Sequence, residues 1–153
     1  MNQKILTLVI IHKGDKILLG LKKRGFGIGK WNGFGGKVHE GEAIEEAAKR
    51  ELFEESGLTT DSLKKLGVLD FSWKAKEGVL QVHIFKSNDV SGVLTESEEM
   101  KPQWFLIKDI PYGNMWSDDK YWLPLFLENK KFKGTFVFNE NNHVAEYQLH
   151  EES

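Results

Sequence analysis

No cysteine occurs among the 153 residues, which excludes disulfide frameworks, thiolate zinc sites and cysteine nucleophiles. That absence fits a reducing compartment. The cytoplasm is the expected location, with mitochondrial or nuclear pools added if the source is eukaryotic. An excess of one charge sign is also missing, since 21 basic residues face 23 acidic ones and leave a net charge of −2. This balance excludes the basic surplus of a nucleic-acid coat protein or a membrane-surface binder, so a free small molecule is the easier partner. Long hydrophobic runs are absent too. The longest clear one, residues 5–11, is too short to span a bilayer, lacks a following small-residue cleavage pattern, and reads as a buried strand. Repeats, low-complexity tracts and linkers are likewise missing. With 40% hydrophobic residues the chain can enclose a full core, and residues 1–153 read as a single domain.

What is present alternates between strand and helix signals. Residues 6–12 and 16–21 are strand-like around Lys13-Gly14-Asp15, a hairpin pattern. Residues 66–74 and 79–86 read as a second strand pair, residues 103–107 as another strand, and residues 132–139 and 143–150 as a closing pair. Residues 117–129 have helical apolar content, but Pro124 removes a backbone donor, which predicts a kink or a late start. Antiparallel-looking strands with two helices predict an α+β or α/β/α sandwich.

The most informative stretch is residues 36–58, GKVHEGEAIEEAAKRELFEESGL, with Gly36, Glu42, Arg50, Glu51, Glu54, Glu55 and Gly57 at fixed intervals. At average amino-acid usage seven such residues match by chance roughly a few times in 10^9. Acidic Glu45 and Glu46 in a first turn and Gly57 as a stop predict a helix over 43–56. With Ile44 at zero on a helical wheel, Ala47 falls at about 300°, Ala48 at about 40° and Leu52 at about 80°, which defines an apolar stripe. Glu51 at about 340° and Glu55 at about 20° lie in its middle, and Glu54 at about 280° borders it. Two carboxylates facing a core cost several kcal/mol each if desolvated as ions, so something must compensate. Hard divalent cations do this, because they take oxygen ligands and bridge carboxylate to phosphate. A solvated acidic helix with Glu46–Arg50 and Arg50–Glu54 pairs is the plain alternative; it explains Arg50 but not acids centred on the stripe. Phe53 lies opposite the stripe, either exposed or against another element.

Upstream, Lys22-Lys23-Arg24 and GFGIGKWNGFGGK place six glycines in the twelve positions 25–36. Glycine lets backbone amides approach an anion, and the basic residues balance phosphate charge. Neither a P-loop nor Gly-x-Gly-x-x-Gly fits any register. A mobile surface loop is the competing view. Asn32 both donates and accepts, as a base-edge reader must; Phe26 and Trp31 add aromatic surface, Trp31 being equally suited to the core.

The 36–58 segment resembles the Nudix box with every fixed position filled. The resemblance implies a mixed sheet packed between helices and metal-dependent hydrolysis of a nucleoside diphosphate linked to another group. RGFGIGKWNGFGGKV, ESEEM at 96–100 and MWSDDKYW at 115–122 are further similar to the oxidised purine nucleoside triphosphatases of the MutT-homologue group. That likeness covers nearly the whole chain. It departs at Trp73, Leu80 and Ser117, where relatives have Phe, Met and Pro, which puts pocket shape in doubt rather than the reaction.

Carried over by position, the resemblance implies catalytic Glu51, Glu54 and Glu55. It implies metal ligation by these three with Glu99 and the Gly35 carbonyl, and Mg2+ as cofactor with Mn2+ as a substitute. Substrate contact is implied for Thr7, Lys22, Phe26, Asn32, Phe34, Gly35, Gly36, Lys37, Trp116, Ser117, Asp118 and Asp119. Judged from its neighbours alone, Glu99 is a solvated loop acid beside Glu96 and Glu98. Adjacent Asp118 and Asp119 near aromatic surface would repel enough for one to keep its proton near neutral pH, so the pair could both accept from and donate to a base edge. Shifting that proton would let the site accept 8-oxo-dGTP and 2-hydroxy-dATP. The same two acids would also suit the first turn of a helix.

The expected reaction is water attack on a purine nucleoside triphosphate, releasing monophosphate and pyrophosphate, with Glu51 or Glu55 as the base. Arg50 is expected to orient an acid such as Glu42. A monomer with no stable nucleic-acid partner and no membrane follows. Other possibilities are a non-catalytic nucleotide sensor, a Nudix enzyme for a sugar nucleotide, dinucleoside polyphosphate or RNA cap, and an interaction module with an aromatic surface.

Overall fold

Alternation along the first two strands decides the layering of the molecule. The computed structural model describes residues 3–152. In chain order they form β1 (Gln3–Lys13), β2 (Lys16–Lys22), β3 (Trp31–Asn32), α1 (Ile44–Ser56), β4 (Leu58–Thr59), β5 (Lys64–Trp73), β6 (Lys76–Ser87), β7 (Ser91–Gly92), β8 (Met100–Leu106), α2 (Asp119–Leu127), β9 (Lys131–Phe138) and β10 (Val144–Glu152). Successive side chains on a strand point to opposite faces. Val9, Ile11 and Leu18 accordingly pack with Ala48 and Leu52 of α1, whereas Ile10, Ile17 and Leu19 pack with Trp122, Leu123 and Phe126 of α2. One sheet thus carries a helix and a hydrophobic core on each face, the expected α/β/α arrangement.

The sheet is mixed. Its order is β10-β9-β5-β6-β1-β2-β3, with β8 on the other side of β2. The β1–β6 and β5–β9 pairs are parallel and the remaining named pairs of this sheet antiparallel. The three predicted hairpins are all present. In the first, Lys13 belongs to β1, so the turn is only Gly14-Asp15, with Gly14 at φ 60. That is the positive φ which a two-residue hairpin turn demands at its first central position.

One irregularity builds the site. Pairing between β1 and β2 runs only from Lys13↔Lys16 to Ile11↔Leu18, after which the strands part and residues 31–38 fill the gap. Thr7 donates to the Gly36 carbonyl at 2.9 Å, Val9 and Phe34 exchange bonds at 2.6 and 2.9 Å, and Val38 donates to the Ile5 carbonyl at 3.0 Å. The glycines make this insertion possible, since a Cβ on Gly35 would overlap the Thr7 carbonyl.

Helix α1 starts one residue after Ala43 and ends at Gly57, whose φ of 80 and bond to the Phe53 carbonyl at 2.9 Å make a left-handed stop. Helix α2 starts at Asp119, two residues later than the apolar pattern began, and Pro124 lies within it on the exposed side. Inside the helix Pro124 forgoes the one bond it would have given the Lys120 carbonyl. Phe53 is 58% exposed, and Trp31 packs edge-on to Phe105 against the core at 4.8 Å.

Candidate functional site

Where the inserted segment meets α1, the carboxylates come into the interior. Glu55 is 6% exposed and accepts the Gly35 amide at 2.9 Å. Burial, reinforced by the Glu51 charge, pushes its carboxyl up to about 8. Glu51 is half-buried and packs directly against Gly36, leaving no room there for a Cβ. Burial raises it as well, opposed by Arg50 at 3.5 Å. Glu54 faces outward, and Arg50 Nη1 bonds both its oxygens at 3.1 and 3.2 Å.

Arg50 organises this end. Its Nε and Nη2 grip Glu42 at 2.7 and 3.0 Å, and Nη2 also reaches the Lys37 carbonyl at 3.0 Å. The bidentate bond holds the Glu42 carboxyl down at about 2. Glu46 makes no i,i+4 pair with Arg50; it turns back to accept the Ala43 amide at 3.1 Å.

From Glu55 a cleft of about 690 Å³ runs along the α2 face of the sheet. Gly35, Gly36, Lys37 and Lys22 line its near end, and Phe26, Trp73, Trp116 and Phe138 surround the far end. Phe26 lies 5.0 Å from Trp116 and 5.8 Å from Trp73, and Phe138 is 5.1 Å from Trp73 and 5.6 Å from Trp116. Lys30 stands over the Trp116 ring at 5.5 Å. Asn32 uses its amide oxygen on the Gly33 amide at 2.8 Å, which leaves its NH2 group for the cleft.

Asp118 and Asp119 lie at the cleft wall, both 3% exposed. Trp122 Nε1 donates to Asp118 Oδ2 at 2.7 Å, whereas Asp119 Oδ2 and Thr7 Oγ1 are buried without a partner among the described residues. Burial raises both acids, Asp119 further because Asp118 stands beside it. Of the two, Asp119 is the acid whose proton is held the more firmly. The two acids also open α2, so the helix-turn and pocket placements coincide.

Sequence comparison agrees with this geometry. The family model described as NUDIX domain matches residues 2–126. The chain belongs to the Nudix family. It is 51% identical to proteins named oxidized purine nucleoside triphosphate hydrolase from Mus musculus and Danio rerio. Each comparison covers 150 residues, 98% of this chain and 96% of the relative. Among solved structures, a MutT protein from Bacillus halodurans superposes with a TM-score of 0.86 at 27% identity, covering 95% of this chain and 97% of that one.

Nudix hydrolases use divalent metal, and the oxygen donors here suit such a hard ion. Glu51 and Glu55 are two acids raised by burial, and Glu54 and Glu99 act electrostatically on them. Among the described residues no three acidic or histidine side chains already surround one point as ligands. Basic groups take up the carboxylates instead. Arg50 holds Glu54, and Lys22 and Arg24 hold Glu99 at 2.9 and 2.8 Å, which lowers the Glu99 carboxyl. Glu99 is thus ion-paired rather than the free loop acid its neighbours imply, and its charge reaches Glu55.

Two expected contacts lie elsewhere. Phe34 is fully buried beneath α1, because its neighbours Gly33 and Gly35 face the cleft and an extended segment alternates. Ser117 turns away and accepts the Val144 amide at 3.0 Å, beside a separate pocket of about 190 Å³. The sequence reading missed Phe71, Phe138 and Lys30 as cleft residues. Alternation along β9 offered a signal for Phe138, which shares a face with Phe132 and Phe136.

Proposed function

We propose that this Nudix protein hydrolyses oxidised purine nucleoside triphosphates, 8-oxo-dGTP and 2-hydroxy-dATP among them, to the monophosphate and pyrophosphate, clearing damaged precursors from the nucleotide pool. The observation that carries this is the cleft itself, which joins a buried Asp pair beside aromatic rings to the buried Nudix-box acid Glu55 at the other end. The names of the two half-identical relatives support the same substrate.

In this assignment the purine packs against the cluster of Phe26, Trp73 and Trp116 rings that lines the cleft, with its edge at Asn32, Asp118 and Asp119 and Thr7 beside them. Protonated Asp119 donates to a base carbonyl, and ionised Asp118 accepts from a ring N–H. Stacking contributes about 1–3 kcal/mol per base. The phosphates extend toward Lys22, Lys37 and the Gly35-Gly36 backbone. Glu51, Glu54 and Glu55, with Glu99 and the Gly35 carbonyl, would hold the metal, Mg2+ with Mn2+ as substitute. Bound there, it would neutralise phosphate oxygens and make water a better nucleophile. Water oxygen bonds to phosphorus as the α–β phosphoanhydride breaks, pyrophosphate leaves with the bridging electrons, and a glutamate takes the water proton. Glu55 suits that role better than Glu51, because it lines the cleft and is free of Arg50. The protein acts as a cytoplasmic monomer without a stable nucleic-acid or membrane partner. Among the described residues no helix is long and apolar enough to cross a membrane.

The test is pyrophosphate release from oxidised, methylated and ordinary purine triphosphates, with Mg2+ present or chelated, for wild type and Asp119→Asn. Oxidised purines should lead ordinary ones by at least about tenfold in kcat/KM, chelation should abolish turnover, and Asp119→Asn should redistribute the preference, since one polar contact is worth about that factor. Equal turnover of all purines, or faster turnover of a sugar nucleotide or dinucleoside polyphosphate, would overturn the substrate.

A further inference from the structure

Trp73 and Trp116 meet edge to face at the aromatic end of the cleft, their rings 6.5 Å apart at 83°. An indole so placed makes a defined wall only if its rotation is fixed. Phe138 supports the Trp73 ring from one side at 5.1 Å, but ring packing alone leaves rotation in plane. The remaining constraint is polar. Trp73 Nε1 donates to Asn142 Oδ1 at 2.7 Å. The donor is therefore committed to the β9–β10 turn and unavailable to a ligand.

That turn is built to hold its acceptor in place. Asn139 Oδ1 takes the amides of Asn141 and His143 at 2.9 and 3.1 Å, its own amide bonds the His143 carbonyl at 2.8 Å, and Asn142 donates to the Asn139 carbonyl at 3.0 Å. Asn142 sits at φ 61, a left-handed conformation that asparagine tolerates better than most residues. Two residues on, Val144 donates to Ser117 Oγ, next to Trp116. One turn is thus tied to both indoles, at Trp73 directly and beside Trp116 through Ser117.

We propose that Asn142 is a positioning residue for substrate selection: acting through the Trp73 indole, it fixes the aromatic surface offered to a planar base. Asn142 makes no substrate contact in this role. The proposal rests on the purine assignment for the identity of that base. The bond itself can be observed without any nucleotide.

Asn142→Gly removes the acceptor while keeping the left-handed backbone, and Asn142→Asp retains an acceptor. In spectra of 15N-indole-labelled protein, the Trp73 resonance, identified by its loss in Trp73→Phe, should move upfield in Asn142→Gly and stay near its wild-type position in Asn142→Asp. KM for the nucleotide the enzyme turns over best should rise about three- to tenfold in Asn142→Gly, the worth of one net hydrogen bond. Its kcat should stay within about twofold, and Asn142→Asp should restore KM. In the Trp73→Phe background, Asn142→Gly should change KM no further. An unmoved indole resonance, an unchanged KM in Asn142→Gly, or the same KM factor in both backgrounds would overturn the proposal. Should the coupling hold while the best substrate is not a purine, the substrate assignment fails and the positioning role stands. A preferred oxidised purine with a neutral Asn142→Gly gives the converse.

Discussion

Glu55 shows how much a single side chain must be compensated. It is buried with one amide bond, and burial pushes its carboxyl from the ordinary 4.5 up to about 8. Because the folded state binds this proton more tightly than the unfolded chain, the stability it contributes is complete below pH 4.5. It is lost as pH rises toward about 8. Glutamine mimics the protonated form. In chelator-treated protein, Glu55→Gln should melt with wild type near pH 4.5 and be the more stable above pH 8. The difference should be on the order of a few kcal/mol, as one pKa unit is about 1.4 kcal/mol. Parallel melting curves from pH 4.5 to 9 would show that Glu55 is not held as described. At this scale the sequence was legible for Glu51 and Glu55, because a helical stripe is a local property. It was illegible for Glu99, whose partners Lys22 and Arg24 are brought to it by the β2–β8 pairing. Phe34 stood between two readable glycines, yet its direction depended on the extended path of a segment that carries no strand pattern of its own.

Among the elements, helix α1 combines a strong stop with an incomplete start. Ala43 occupies the cap position with extended backbone at φ −71 and ψ 150, but it has no side-chain oxygen to offer the amides of the first turn. Only the reciprocal half of a capping box is present, from Glu46 to the Ala43 amide. Ala43→Ser should supply the missing half and raise stability by about 1 kcal/mol, a melting shift of about 2–4 °C. Calorimetry measures it, and a lower melting temperature would refute the cap geometry. The elements themselves were largely readable, because hairpins and one amphipathic helix carry their periods in sequence. The two-residue strands β3, β4 and β7 were not, being too short to show any period. Sheet order escaped as well, since the parallel β1–β6 and β5–β9 pairs join residues far apart in the chain.

For the molecule as a whole, the decisive feature is that the parting of β1 and β2 connects the two faces of the sheet. The inserted glycines bring α1's Glu55 into a cleft whose other end lies under α2, so in the proposed assignment base and phosphate recognition would rest on different cores. Their dependence on metal should then separate. Near Glu51 and Glu55 a triphosphate meets acidic groups, whereas a monophosphate can rely mainly on the aromatic and paired-aspartate end. A ligand that binds only the native state raises stability by RT ln(1 + [L]/Kd), so thermal shifts report both affinities. To prevent turnover, the triphosphate arm uses an analogue whose α–β bridging oxygen is replaced by methylene. Chelation should weaken binding of this oxidised purine triphosphate analogue at least about tenfold and the matching monophosphate less than about threefold. Glu51→Gln/Glu55→Gln, which removes the repulsion, should narrow the triphosphate difference. Equal sensitivity of the two ligands to chelation would mean that the metal organises the base end as well, and the division of the cleft between two cores would have to be abandoned.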